Sequence, residues 1–269
     1  MTHNRIFLDE QDKNIFLDTY ISDKISGFTR KAILVIPGGG YGGVCSDREG
    51  EPIAQAFIPY GYNAFVLHYS VKRKRPFPAQ LIETSKAIKH IKDNAEEYGI
   101  DPENVFVVGF SAGGHLAGSI GTMWHRKEIY DAIDMPFGYN KPTGMMLIYP
   151  VINGTEKFGH IGSFENLLCT DNPSMESLAD TSIDLNVDEN TVPAFIMHSS
   201  NDEIVNIKNS LAMANALSDR GMKFEMHIYP DAPHGVALGN EITRCGNARW
   251  VNSGIAKWIE QAVYWAENL

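Results

Sequence analysis

Basic residues are in short supply. The 269-residue chain has 23 Lys and Arg against 33 Asp and Glu, a net charge of −10. A protein that neutralises nucleic-acid phosphates needs a cation surplus to displace counterions, so nucleic acid is not an expected partner. Cysteine is scarce too. Cys45, Cys169 and Cys245 are far apart and form no CxxC, which excludes a disulfide framework and a cysteine-rich zinc site and points to reduced thiols. No apolar run approaches the roughly 18 to 20 residues that span a bilayer, and the opening MTHNRIFLDE has no signal-peptide core. A membrane partner is therefore not expected, and a cytoplasmic location is. The nine histidines show no HExxH or comparable ligand spacing, so no metal and no other cofactor is expected. Disorder is excluded by a composition 43% apolar and only 21% charged.

The chain does contain alternating apolar and helical segments. Short apolar runs at 32–36, 64–68, 105–108, 145–148, 194–197 and 224–228 read as strands. Helical patterns fall between and after them, at about 50–59, 78–98, 112–124, 208–220 and 248–268. Continuous apolar strands with crossover helices require a parallel sheet covered on both faces, as one doubly wound domain over 1–269. Residues 15–22 add an antiparallel edge strand. The segments 123–143 and 152–191 are long and weakly periodic, with a short helix expected near 172–179; both read as lids or substrate-binding insertions over one rim of the sheet. The basic run Val71–Arg75 reads as a solvated loop rather than an anion patch.

The chemistry is concentrated after the third apolar strand, in Gly109-Phe110-Ser111-Ala112-Gly113. GxSxG between a buried strand and a helix forms a sharp turn that lifts the serine hydroxyl clear of the sheet, with glycines where a side chain would collide. Serine needs an adjacent base, and in such sheets the partners follow in the order Ser, acid, His. From the sixth strand onward only His227 and His234 remain. His227 lies within the strand, whereas His234 lies in the loop beyond it, at the rim where open α/β sheets bind ligands. For the acid, Asp202 follows the 194–197 strand and is preferred to Glu203; Asp171, Asp184 and Asp188 belong to the irregular insertion. The run Pro37-Gly38-Gly39-Gly40-Tyr41-Gly42-Gly43 lacks the features of a phosphate loop or a dinucleotide site. It reads as an oxyanion loop: the N–H groups of Gly39 and Gly40, with that of Ala112, would stabilise a developing alkoxide. Tyr41 is a candidate substrate contact, and His115 reads as a packing residue.

These motifs in order, IPGGGYGG, GYNAFVLHYSV, EEYGIDPENV, GFSAGGHLA, HSSNDEIV and APHGV, resemble the α/β-hydrolase superfamily. They are most similar to its branch of small bacterial acetyl-xylan or sugar-ester esterases, related to hormone-sensitive-lipase-like esterases and kynurenine formamidases. The resemblance implies an α/β-hydrolase fold: a mostly parallel, doubly wound sheet with helices on both faces and lid-like insertions. It also implies Ser111 as nucleophile, Asp202 as acid, His234 as base, and Gly39, Gly40 and Ala112 around the oxyanion. Pro37 departs from the His of an HGGG loop, and Ser70 stands where relatives carry Arg. The expected activity is a serine carboxylesterase acting on short-chain acyl esters, including acetyl groups on sugars or xylo-oligosaccharides. The rivals are an arylformamidase or other amide hydrolase, and a non-catalytic binding module.

Overall fold

A computed structural model of the protein describes residues 1–246 and 248–269. Eight strands form one sheet: β1 (Thr2–Phe7), β2 (Phe16–Ile21), β3 (Arg30–Ile36), β4 (Tyr62–His68), β5 (Ile100–Phe110), β6 (Met145–Ile148), β7 (Ala194–Ser199) and β8 (Phe224–Tyr229). Their spatial order is β1-β2-β4-β3-β5-β6-β7-β8. The pairings of β1 with β2 and of β2 with β4 are antiparallel, and all later ones are parallel.

The helices are α1 (Ser46–Glu49), α2 (Glu51–Phe57), α3 (Ala79–Asp93), α4 (Ala95–Tyr98), α5 (Ala112–Met123), α6 (Lys127–Ala132), α7 (Ile161–Leu167), α8 (Met175–Thr181), α9 (Lys208–Asp219) and α10 (Trp258–Glu267). Strand periodicity divides the core in two. Leu34, Ile36, Val105, Val107, Leu147 and Ile196 pack with α3, α5 and α9 on one face. Ile33, Val35, Phe106, Val108, Ile148 and Met197 pack with α2 and α10 on the other. Among the described residues no helix is long and apolar enough to cross a membrane.

Four expectations need correction. The segment 15–22 is a strand but not the edge, because β1 lies outside it. THNRIF carries no apolar alternation and is almost wholly exposed, so no strand signal marks it. The 78–98 helix is interrupted at Asn94, whose side chain donates to the carbonyl of His90 before α4 begins. The last α-helix, expected over 248–268, starts only at Trp258, and Trp250 lies in a separate 3₁₀ turn.

The fourth concerns 123–143. Helix α5 starts at the rim carrying Ser111 and runs its 12 residues, about 18 Å, away from it. The following segment is fastened at the far end: Asn140 donates to Ser85 on α3, Tyr139 to Asp93, and Thr143 pairs with Val105 at the start of the buried part of β5. It therefore cannot cover the Ser111 rim. Of residues 152–191, α7 lies at that rim, where Asn166 donates to the Gly40 carbonyl, whereas Asp188 and Asn190 meet His125 and Trp124 at the far end of α5. Helices α7 and α8 are seated by a small apolar cluster of Val151, Phe164, Leu178 and Val205.

Candidate active site

Ser111 joins β5 to α5 with φ 53° and ψ −117°, a conformation costing on the order of 1–3 kcal/mol for a residue with a Cβ. Its neighbours over-determine it. The Ser111 N–H donates to Ile148 at 3.0 Å, while its carbonyl accepts from His115 and Val151, each at 3.1 Å. The flanking glycines are sterically required: a Cβ on Gly109 would strike the Gly113 carbonyl, and one on Gly113 would strike the carbonyl of Ile36.

The loop after β8 brings His234 back to this turn. Its Nε2 lies 2.9 Å from Ser111 Oγ and its Nδ1 lies 2.7 Å from Asp202 Oδ2. Beside a carboxylate Nδ1 must carry the proton, which leaves the Nε2 lone pair for the serine hydroxyl. Asp202 is fixed in turn by the N–H groups of Ile204 and Val205, both 2.9 Å from Oδ1. Buried His198 also approaches Oδ2 at 3.3 Å. Its Nε2 faces the Val205 carbonyl at 3.0 Å and so is the protonated nitrogen, with Nδ1 accepting from Ser210. Burial alone would raise the Asp202 carboxyl, but the hydrogen bonds from His198, His234 and the backbone outweigh it and hold Asp202 well below the usual carboxylate range. The aspartate thus stays ionised throughout the pH range in which a histidine base works.

The other acids and His227 go elsewhere. Glu203 is exposed one residue beyond Asp202. Asp171 pairs with Arg73, Asp184 accepts from Asn153, and Asp188 accepts from Asn190. His227 pairs with Glu225 on the edge strand β8.

The glycine loop after β3 lies directly against this group, since a Cβ on Gly38 would stand 3.0 Å from the Cβ of Ser111. The Gly38 carbonyl accepts from Cys45, and the Gly39 carbonyl accepts from Gly42 and Gly43. In a trans peptide N–H and C=O point oppositely, so the N–H groups of Gly39 and Gly40 face away from these internal bonds. Among the described residues neither they nor the Ala112 N–H, at the open start of α5, donate to a protein acceptor. Pro37 does not loosen the loop: its carbonyl accepts from buried Tyr69 at 2.7 Å. Ser70 likewise fits its place, with Oγ and N–H both donating to buried Glu83.

One buried carboxyl ties the two loops of the site together. Glu49 accepts from the Gly38 N–H and from the Tyr149 hydroxyl, each at 2.9 Å. That same hydroxyl accepts from Ala237 in the His234 loop at 3.0 Å, and the Tyr149 ring packs edge-on against His234 at 5.0 Å. Burial pushes the Glu49 carboxyl up, and the donors from Gly38 and Tyr149 act against it. Tyr149→Phe would strip partners from Glu49 and from the Ala237 N–H inside the core. It should cost about 1–3 kcal/mol in denaturant unfolding. A loss below about 0.5 kcal/mol would mean the bridge carries no weight.

Tyr41 is not available to a substrate, contrary to expectation. Its side chain is 1% exposed and its hydroxyl is 2.8 Å from His115 Nδ1, so it anchors the glycine loop from beneath. His115 is the packing residue expected. Its Nε2 donates to the Thr181 carbonyl at 2.7 Å, which makes Nδ1 the acceptor for Tyr41. Burial pushes its pKa down to about 4. The unfolded chain therefore takes up a proton near pH 6.5 that the native site refuses. Stability should fall by about 2 kcal/mol from this group between pH 7 and pH 5. Denaturation midpoints should show a shallower pH slope in His115→Gln; an unchanged slope would contradict the assignment.

Helix α7 completes the rim. Asn166 donates to the Gly40 carbonyl at 2.8 Å and accepts from Arg73 Nε at 3.1 Å. Arg73 also pairs with Asp171, while Lys74 and Arg75 pair with Asp12 and Asp9. The basic run is thus a clamp between the insertion, the N-terminal loop and the glycine loop, rather than a solvated loop. Glu49, Tyr149, His198 and Asn166 were not legible as site residues. Only His198, four positions before Asp202 at a strand end, had a local signal that could have found it.

The sheet order, the antiparallel pair at one edge and the strained serine turn after β5 are those of an α/β hydrolase. Within that class the chain belongs to the BD-FAE family, which residues 17–217 match. Residues 179–257 also match the dienelactone hydrolase family. The chain is 37% identical over 216 residues to endo-1,4-beta-xylanase B of Butyrivibrio fibrisolvens, covering 79% of this chain and 33% of that protein. It is 29% identical over 213 residues to an acetylxylan esterase of Xylanibacter ruminicola, covering 78% of this chain and 42% of the relative. The chain thus spans well under half the length of these two relatives. Among solved structures, the acetyl ester-xyloside bifunctional hydrolase of Caldicellulosiruptor lactoaceticus aligns with a TM-score of 0.83 and 32% identity, over 98% of this chain and 96% of that one.

Proposed function

We propose that the protein is a serine carboxylesterase that removes short acyl groups, acetyl above all, from sugars or xylo-oligosaccharides. The observation that carries the reading is the unbroken hydrogen-bond chain Ser111–His234–Asp202 on a strained turn, beside main-chain donors with no protein acceptor among the described residues. In the proposed cycle His234 Nε2 takes the Ser111 proton as Oγ attacks the ester carbonyl. The oxyanion is held by the N–H groups of Gly39, Gly40 and Ala112, and Asp202 balances the charge gained by the imidazole. Collapse expels the sugar alcohol with the proton from His234. Water then repeats the steps on the acyl-Ser111, releasing the acid.

The carbohydrate part of this reading is supported by relatives named as an acetylxylan esterase and as an acetyl ester-xyloside bifunctional hydrolase. The test is a substrate panel of p-nitrophenyl acetate, butyrate and octanoate with acetylated xylo-oligosaccharides and N-formylkynurenine. Preference for acetate over octanoate, with acetate release from the oligosaccharides, is the expected result. Turnover of N-formylkynurenine alone would replace the reading with an arylformamidase.

A further inference from the structure

His160 has no part in the cycle above, and its surroundings give it another. It precedes α7, half-buried at the rim, and its Nδ1 is bonded to Ser163 Oγ at 2.9 Å. Ser163 is 1% exposed and stands beside the oxyanion loop, its Oγ 3.8 Å from where a Cβ on Gly40 would be. Two residues before the bond from Asn166 to Gly40 begins to clamp this helix, Phe164 packs edge-on against buried His115 at 5.2 Å, so the helix is firmly seated. The other ring nitrogen, Nε2, has no protein partner among the described residues. The imidazole lies close enough to His234 and Asp202 for both to act on its affinity for a proton; burial, then His234, push its pKa down. An imidazole is therefore held at the rim beside the oxyanion loop, near His234 and Asp202, with one nitrogen fixed and the other without a protein partner among the described residues.

A second base is not needed there, since Ser111 Oγ already has His234, and the Nδ1 of His160 is bonded to a serine hydroxyl rather than to a carboxylate. A neutral imidazole nitrogen is matched instead to a hydroxyl, which can donate or accept, and would gain little from an anion. We infer that His160 Nε2 binds a free hydroxyl of the sugar next to the esterified carbon, so that the site selects partially acylated sugars. This rests on the esterase reading.

The test compares wild type, His160→Phe and His160→Gln on three esters: a monoacetylated methyl xyloside, the fully acetylated xyloside, and p-nitrophenyl acetate. His160→Phe should lower kcat/KM for the monoacetylated sugar about tenfold, chiefly through KM. The other two esters lack the hydroxyl, and their constants should stay within about threefold of wild type. His160→Gln, which returns a polar atom near the Nε2 position, should recover most of the loss. Equal losses on all three esters, or none on any, would overturn the inference while leaving the esterase reading intact. Absence of wild-type turnover on every ester would instead remove the reading itself, and the inference with it.

Discussion

Ser111→Ala should abolish ester turnover without unfolding the protein, lowering kcat by about 10⁴- to 10⁶-fold. The hydroxyl has one side-chain partner, His234 Nε2, so its removal leaves no buried polar group stranded in the core. Alanine keeps the Cβ, so the strain at φ 53° and the bonds to Ile148, His115 and Val151 are unchanged. The unfolding free energy should therefore move by no more than about 0.5 kcal/mol. Because the main-chain donors remain, KM should change little and a residual rate above the uncatalysed one should persist. Steady-state kinetics with p-nitrophenyl acetate, alongside a denaturant melt, separate the two effects. A variant that keeps a tenth or more of the wild-type rate would exclude Ser111 as nucleophile.

Asp202→Asn should cost about 10⁴-fold in kcat, for a reason visible in the hydrogen bonds. The N–H groups of Ile204 and Val205 claim Oδ1, which would keep the amide oxygen of an asparagine on that side. The amide NH₂ would then face His234 Nδ1 and His198 Nε2–H together. Toward His234 it makes Nδ1 an acceptor and moves the ring proton to Nε2, the nitrogen that must take the serine proton. Toward His198 it sets donor against donor. Glu203→Gln is the matched control: Glu203 is exposed beside Asp202 and should be replaceable with little effect. Equal activity of the two variants would remove Asp202 from its assigned place.

What could be read from sequence was whatever the backbone demands locally. GxSxG was legible because both flanking glycines sit where a Cβ would collide with a carbonyl, a requirement that shows as residue identity. His234 and Asp202 were legible by chain order and by their positions just past β8 and β7. The apolar runs gave the parallel strands because both faces of that sheet are covered. Glu49 could not be found in this way. It acts across 11 residues to Gly38 and 100 to Tyr149, and nothing local distinguishes it from a helix-surface glutamate. Tyr41 misled for the same reason: its place in the glycine loop suggested a substrate contact, while the bond to His115, 74 residues away, turns it inward. Composition marked 123–143 and 152–191 alike as irregular. Only packing, the first against α3 and the second against the glycine loop, separates a structural brace from a wall of the site.

The most direct test of the central claim is where an acyl-like group lands. Incubation with a p-nitrophenyl phosphonate ester, followed by mass spectrometry of proteolytic fragments, should show one phosphonyl group per chain. It should sit on the peptide holding Gly109–Gly113, assigned to Ser111, and its formation should be lost in Ser111→Ala and slowed in His234→Ala. Stoichiometric labelling at any other residue, or labelling of Ser111→Ala at the wild-type rate, would contradict the Ser111–His234–Asp202 account.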